Sequence, residues 1–412
     1  MEQDQALKME RWTTAFASYG WEQMQDKLNQ RVIGKKETIR LACLTMLAGG
    51  HLLLEDVPGV GKTLLARSLA QIADSSFRRI QMTPDMMPAD ITGSMVLHPS
   101  TGELRYSEGP LQAHVVLVDE LNRASSRTQA ALLEAMEERS VTVDGVTRAL
   151  PKPFMVIATQ NPFVFEGTYR LPEAELDRFM MKLSIGYPEV HAEADMLVRE
   201  QSKGEIERIQ RPVLTTEEWS LLIQRRRSIH VDAVLCRYIS ELVQATRRHD
   251  QVELGVSPRG SVALMQAAQA QALVSGRSYV IPEDIKALAV HVLAHRLVLR
   301  SSQHMTAEDV IQEVVHQISV PSFSKEARVS QERVKPHDIL YSRTRMGSET
   351  QAVRAWLPPR ETGEWEVSVR NPGGDSQESL KQDSDIDTSS KHQVSPRRRS
   401  KEGGSWFRGL FR

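Results

Sequence analysis

The chain has 412 residues, enough for two packed domains and further segments, and its 40% hydrophobic and 25% charged content is ordinary for a globular protein. A formal net charge of −1 gives no global electrostatic reason to bind nucleic acid, although a local basic patch stays open. The two cysteines, Cys43 and Cys236, offer neither a disulfide framework nor metal-ligand spacing, so both are expected as reduced core residues.

The opening Met1-Glu2-Gln3-Asp4-Gln5 is acidic and polar, unlike a signal peptide, and no apolar stretch approaches bilayer length. These features read as a cytoplasmic protein. From about residue 30 to 190, short apolar runs alternate with amphipathic helical patterns. His51-Leu52-Leu53-Leu54 and Val115-Val116-Leu117-Val118 suit strands buried on both faces of a parallel sheet. Between them, Thr128 to Arg139 sets Ala131, Leu132, Ala135 and Met136 on one helix face. Strands alternating with helices predict an α/β domain over residues 1–190. From 191 to 322 the strand signal disappears and Ala-, Leu- and Gln-rich stretches take over, such as Ser261 to Ala272 and Pro282 to Leu297. Pro282-Glu283-Asp284 is a normal helix start. A smaller all-helical domain is expected there. Residues 323–412 hold Pro358-Pro359, Asn371-Pro372-Gly373-Gly374 and a Ser/Asp/Lys-rich run, with sparse apolar residues of no period. Such a segment cannot bury enough surface to offset its ordering entropy, so a disordered tail is expected.

The strongest local signal is Leu52-Leu53-Leu54-Glu55-Asp56 followed by Val57-Pro58-Gly59-Val60-Gly61-Lys62-Thr63-Leu64. It reads as a strand, a glycine loop and a helix opened by Lys-Thr. Gly59 and Gly61 allow backbone N–H groups to turn inward around phosphate oxygens. Lys62 would reach the β- and γ-phosphates of ATP, and the Thr63 hydroxyl would ligate Mg2+. The strict pattern wants glycine where Asp56 stands; aspartate is read there as a tolerated turn residue. The second signal is the apolar run ending in Asp119-Glu120. Ligands of open α/β sheets bind at the carboxyl ends of strands, so Asp119 would hold Mg2+ through water and Glu120 would polarise the attacking water. The third is Met155-Val156-Ile157-Ala158-Thr159-Gln160-Asn161-Pro162, a strand ending in a polar residue. Alone, Asn161-Pro162 reads equally as a turn; beside the other two motifs, Asn161 is a candidate to orient the lytic water.

Together these residues resemble the AAA+ superfamily and, within it, the MoxR family, over about residues 15 to 322. The discriminating segments are Thr83-Pro84-Asp85-Met86-Met87-Pro88-Ala89-Asp90-Ile91-Thr92-Gly93 and Asp119-Glu120-Leu121-Asn122-Arg123-Ala124. Two more are Leu171-Pro172-Glu173-Ala174-Glu175-Leu176-Asp177-Arg178-Phe179 and Ser257-Pro258-Arg259. The resemblance implies that Arg178 acts on ATP bound in the neighbouring subunit. It also implies that Arg259 contacts the γ-phosphate from the lid, and that Ile33-Gly34 lines the adenine pocket. A permanently charged guanidinium suits the charge that develops in phosphoryl transfer. Residues 93–112 resemble the helix-2 insert of the MoxR and magnesium-chelatase branch. Val141 to Arg148 alternates around Asp144-Gly145, a hairpin signal that in related ATPases faces the ring centre but reads otherwise as a plain surface ribbon.

The implied function is an ATP-hydrolysing ring chaperone, with ATP and Mg2+ as cofactors and most commonly a hexameric homo-oligomer. It would remodel or activate partner proteins carrying von Willebrand factor A-type domains. A nucleic-acid motor is the alternative class; the sequence has no recognisable nucleic-acid module, and no nucleic-acid partner is expected. A magnesium-chelatase-like motor subunit is closer in fold, and the Thr83–Gly93 segment favours MoxR. The chain continues about ninety residues past the lid and ends in Pro396-Arg397-Arg398-Arg399-Ser400-Lys401, then Gly403 to Arg412 with Trp406, Phe407, Leu410 and Phe411 among arginines. Such an end suits docking to an anionic membrane surface or to a partner.

Overall fold

The structure, a computed structural model, describes residues 13, 16–100, 102–162, 171–201, 209, 211–300 and 305–320. After a π-helical turn, Phe16–Gly20, come α1 (Trp21–Asn29), α2 (Lys36–Ala48), β1 (Leu52–Glu55), α3 (Lys62–Ile72) and β2 (Phe77–Gln81). Then follow α4 (Pro88–Thr92), β3 (Gly93–Leu97), β4 (Leu104–Glu108), β5 (Val115–Asp119) and α5 (Ser126–Glu138). β6 (Ser140–Val143), β7 (Val146–Ala149), β8 (Met155–Gln160), α6 (Glu173–Leu176) and β9 (Met181–Leu183) complete the sheet-bearing part. The remainder is α7 (Val190–Gln201), α8 (Thr216–Arg226), α9 (Ala233–Arg248), β10 (Val252–Leu254), α10 (Pro258–Val274), α11 (Pro282–Leu293), β11 (Val298–Leu299) and α12 (Ala307–Gln317).

β1, β2, β5, β8 and β9 form a parallel sheet in the order β2-β5-β8-β1-β9. The apolar runs are its middle: Leu52–Leu54, Val115–Val118 and Met155–Ala158 are all buried. Because strand side chains alternate, one run serves two cores. Leu52, Leu54, Val115, Leu117, Met155 and Ile157 pack with residues of α2 and α3. Leu53, Val116, Val118, Val156 and Ala158 pack with Leu132, Leu133 and Met136 of α5 on the other side. The result is the α/β sandwich expected for a parallel sheet. β6 and β7 form the hairpin expected around Asp144-Gly145, both at positive φ (53° and 72°) as a tight hairpin turn needs. Within 93–112, β3 and β4 form a second antiparallel hairpin.

The region after α7 is mostly helical. Trp219 of α8 is buried and its indole N–H donates to the Met46 carbonyl of α2 at 2.9 Å. α10 also packs on α2. This region departs from an all-helical reading in one detail: β10 and β11 pair as a short antiparallel ribbon. Strands of three and two residues are too short to show a period in sequence. The cysteine expectation needs correction as well. Cys43 is buried on α2, but Cys236 is exposed. The buried stripe of α9 runs through Leu235, Tyr238, Ile239, Leu242 and Val243, and position 236 faces away from it. The composition boundary at 190/191 falls in the first turn of α7. The tail expected over 323–412 lies outside the described residues.

Two buried histidines tie the elements together. His51, just before β1, accepts from the Val156 N–H at its Nδ1 (2.9 Å), which leaves Nε2–H to donate to the Met136 carbonyl at 3.2 Å. His295 places Nε2 3.1 Å from the Phe179 carbonyl. Burial holds both well below the ordinary histidine value of 6.5, with Arg139 and Arg296 respectively adding to the effect. A folded value below the unfolded one means stability is fully present above pH 6.5 and declines as pH falls below it. Each ring then contributes about 1.4 kcal/mol of loss per pH unit. The melting temperature is expected to drop steadily between pH 6.5 and pH 5; a flat profile over that interval would contradict the assignment of neutral, buried rings.

Candidate functional site

β1 lies between β8 and β9, so the loop after it opens at the carboxyl edge of the sheet, where open α/β folds bind ligands. The loop needs unusual backbone: Gly59 and Gly61 sit at φ 88° and 96°, in the left-handed region that favours glycine. Pro58 and Gly59 are exposed, while Val57, Val60, Gly61, Lys62, Thr63 and Leu64 are half-buried. α3 starts at Lys62 with no side-chain cap, so its first-turn N–H groups are free of side-chain acceptors. The Lys62 ammonium donates to the loop's own Asp56 and Val57 carbonyls at 2.7 and 3.3 Å. Burial lowers the Lys62 pKa, while Asp56, Asp119 and Glu120 oppose that shift through their charge. The loop lysine and the two strand-end acids therefore share one electrostatic site.

Asp119 ends β5 and is buried. Its Oδ1 accepts from the Thr159 hydroxyl at 2.6 Å, and its Oδ2 accepts from Arg79 of β2 at 2.7 and 3.2 Å. Glu120 follows in left-handed backbone, φ 55°, a conformation rarely held by a non-glycine residue. Its N–H donates to Thr159 Oγ1 at 2.9 Å, so one threonine fixes both acids. The Glu120 carboxylate pairs with Arg123 at 2.9 Å. Asn161 comes directly after β8, and its carbonyl accepts from Asn122 Nδ2 at 3.4 Å, placing it beside the Asp119-Glu120 turn. Thr63 and Asp119 offer hard oxygen donors of the kind Mg2+ takes. Among the described residues no group of three or more His, Cys, Asp or Glu could cage a metal alone. That donor set fits an ion held by few protein ligands and by phosphates.

The adenine-side candidates Ile33 and Gly34 lie next to the entry to the lid. Gly34 has φ 76°, and a Cβ there would sit 2.7 Å from the Ala192 Cβ, so glycine lets the segment approach α7. Lys35 donates to the Tyr187 carbonyl at 2.7 Å.

Arg178 and Arg259 are brought together, on a residue that the sequence did not single out. Both pair with Glu137 of α5, Arg178 Nε at 3.1 Å and Arg259 through Nη2. Neighbouring contacts latch the lid to the core. The Ser257 hydroxyl donates to Asp177 Oδ2 at 2.7 Å while capping α10. Arg296, almost wholly buried, donates to Asp177 Oδ1 at 2.8 Å and to the Phe179 carbonyl at 2.7 Å. Burial pushes the Arg296 pKa down to about 10, against the pull of Asp177.

Asp56, read from sequence as a turn residue, is a buried anchor. It accepts from the Ser184 hydroxyl (3.0 Å) and from the N–H groups of Ile185 (2.5 Å), Gly186 (2.6 Å) and Val57 (2.9 Å). Burial raises its pKa, but these four donors outweigh burial and hold it below the usual aspartate value. Asp56→Ala strips an ionised acceptor from four donors and is expected to cost about 2–3 kcal/mol, read from the urea midpoint at neutral pH. An unchanged midpoint would show that the anchor contributes nothing.

Residues 51–181 match the model of the ATPase family associated with various cellular activities, and residues 244–314 match an AAA lid domain. The chain is 48% identical over 299 residues to the protein YeaC of Bacillus subtilis, covering 72% of this chain and 93% of that one. It is 38% identical over 302 residues to the chaperone MoxR1 of Mycobacterium tuberculosis, covering 70% and 79%. A crystal structure of a candidate ATPase from Cytophaga hutchinsonii superposes with a TM-score of 0.71 at 32% identity, covering 78% of this chain and all of the other. The glycine loop, the paired strand-end acids and the lid latch thus lie within the two matched domains, and the chain belongs to the MoxR family of AAA+ ATPases.

Proposed function

We propose that the protein binds ATP with Mg2+ at the 57–64 loop and hydrolyses it to ADP and phosphate. In this reading it works as a homo-oligomeric ring, most simply a hexamer, that remodels partner proteins. The observation that carries the reading is the convergence of Lys62, Asp119 and Glu120 at the carboxyl edge of the sheet. Lys62 and the free N–H groups of α3 would hold the phosphates; Thr63 and Asp119 would hold Mg2+, which supplies charge neutralisation of the phosphate oxygens. Glu120, set by Thr159, would accept the proton of the attacking water, with Asn161 beside it to orient that water. Ile33 and Gly34 would flank the base.

Glu120→Gln keeps the size of the side chain and removes its basicity. Turnover is expected to fall at least about a hundredfold with ATP binding retained. Lys62→Ala is expected instead to weaken nucleotide binding about ten- to a hundredfold, the scale of one charged hydrogen bond. Normal turnover in the first variant, or normal affinity in the second, would remove the named residue from its role.

Arg178 and Arg259 are partly exposed, and their shared partner Glu137 stands on the helix after the Asp119 strand. We assign Arg178 to the nucleotide held by an adjoining subunit, and Arg259 to the γ-phosphate from the lid. Arg178→Ala and Glu120→Gln subunits, each inactive alone, are expected to recover activity when mixed, because some interfaces then carry both native groups. A confirmed mixed assembly without recovery would place Arg178 in its own subunit's chemistry or in structure only.

The name of the M. tuberculosis relative supports a chaperone role. Clients with von Willebrand factor A-type domains are part of the same proposal, tested by what a Glu120→Gln assembly retains in a pull-down. Among the described residues no helix is long and apolar enough to cross a membrane. Docking through residues 396–412 concerns residues outside the described ones; co-sedimentation of a chain lacking them with anionic vesicles decides it.

A further inference from the structure

The Arg79–Asp119 pair invites a role beyond stability. Arg79 lies on the edge strand β2, and Gln81 of that strand is in register with Asp119 of β5. Its side chain is 48% exposed, whereas that of Asp119 is 12% exposed. A half-exposed ion pair contributes little to folding, so stability is a weak reason for this contact. The geometry is more specific than a surface pair. Arg79 Nε and Nη2 both donate to Oδ2 of Asp119, and Nη2 donates also to Gln81 Oε1 at 2.8 Å, which fixes the guanidinium over that oxygen. Oδ1 is taken by the Thr159 hydroxyl. Both oxygens of the carboxylate that the proposed function gives to Mg2+ therefore already have donors. A second positive charge, on Lys62, acts on the same carboxylate.

We propose that Arg79 is a positioning residue that competes with Mg2+ for Asp119, and so sets the Mg2+ concentration at which nucleotide binds tightly. The inference rests on the reading of Asp119 as a ligand of the ion that accompanies ATP. A divalent ion and a guanidinium at one carboxylate repel each other, and the guanidinium must yield Oδ2 or share it for the ion and its water to approach. Without Arg79, Oδ2 loses its competing donor while Oδ1 stays with Thr159, so less Mg2+ suffices. β2 leads directly into the Thr83–Gly93 segment: the Met82 N–H donates to the Asp119 carbonyl at 2.9 Å, and Thr128 of α5 holds the Met86 carbonyl at 2.7 Å.

The test is the binding of a fluorescent ATP analogue titrated with buffered free Mg2+, a readout independent of turnover. Arg79→Gln is expected to lower the Mg2+ midpoint about three- to tenfold, the scale of one partly screened charge near a divalent ion. Arg79→Lys keeps the charge but loses the two-armed contact, and its midpoint is expected between those of the wild type and Arg79→Gln. In an Asp119→Asn background the Arg79→Gln shift is expected to vanish. A midpoint at or above the wild-type value in either Arg79 variant, or a shift that persists with Asp119→Asn, overturns the proposal. A wild-type protein whose nucleotide affinity ignores Mg2+ overturns the earlier reading of Asp119 instead, and that is seen before any variant is made.

Discussion

The carboxylate of Asp56 is the constraint on which the site depends. A phosphate-binding loop must keep its N–H groups for the phosphate it surrounds, and therefore cannot satisfy them by folding into regular structure. Here the start of the loop is pinned by one buried acid that gathers donors from Val57 and from residues 184–186. Those residues follow β9 and lead to α7, so the same acid ties the loop to the edge strand and to the entry of the lid. Glycine at this position, as the strict phosphate-loop pattern has it, would leave these donors to water or to nothing.

The chemistry of the site follows from strand order. Placing β8 between β5 and β1 puts Thr159 within reach of the end of β5, where its hydroxyl donates to Asp119 and accepts from the Glu120 backbone. Each acid is also matched with an arginine, Asp119 with Arg79 and Glu120 with Arg123. The two carboxylates are thereby aimed by side chains whose planar guanidinium matches a carboxylate. A similar logic governs the lid. Arg296 is buried and committed to Asp177 and neighbouring carbonyls, whereas Arg178 and Arg259 share the more accessible Glu137. The first contact holds the lid on the core; the second leaves two guanidinium groups at the surface.

Much of this was legible in the sequence where the signal is local. Four-residue apolar runs gave the central strands because both faces of a parallel sheet are dry. Asp144-Gly145 gave a hairpin because both residues tolerate positive φ. The glycine loop and the acids at the end of β5 announced themselves by spacing. What escaped depends on partners distant in the chain. Asp56 finds three of its four donors 128 to 130 residues away, Arg79 its acid 40 away, and Arg296 its acid 119 away. No local pattern marks such pairs. The ribbon of β10 and β11 was hidden by its shortness, and Cys236 by the general expectation that free cysteines are buried.

We propose that one nucleotide with Mg2+ is held between the 57–64 loop and the end of β5, and that a neighbouring subunit completes the site. The most direct measurement is a structure of the assembled protein with Mg2+ and a non-hydrolysable ATP analogue. The phosphates are expected against the N–H groups of the loop, the ion near Thr63 and Asp119, the Arg178 guanidinium reaching in from the adjoining copy, and that of Arg259 at the γ-phosphate from the lid. Nucleotide lodged elsewhere, or bound in this loop with Asp119 turned away from the ion and no adjoining copy at the γ-phosphate, would contradict it.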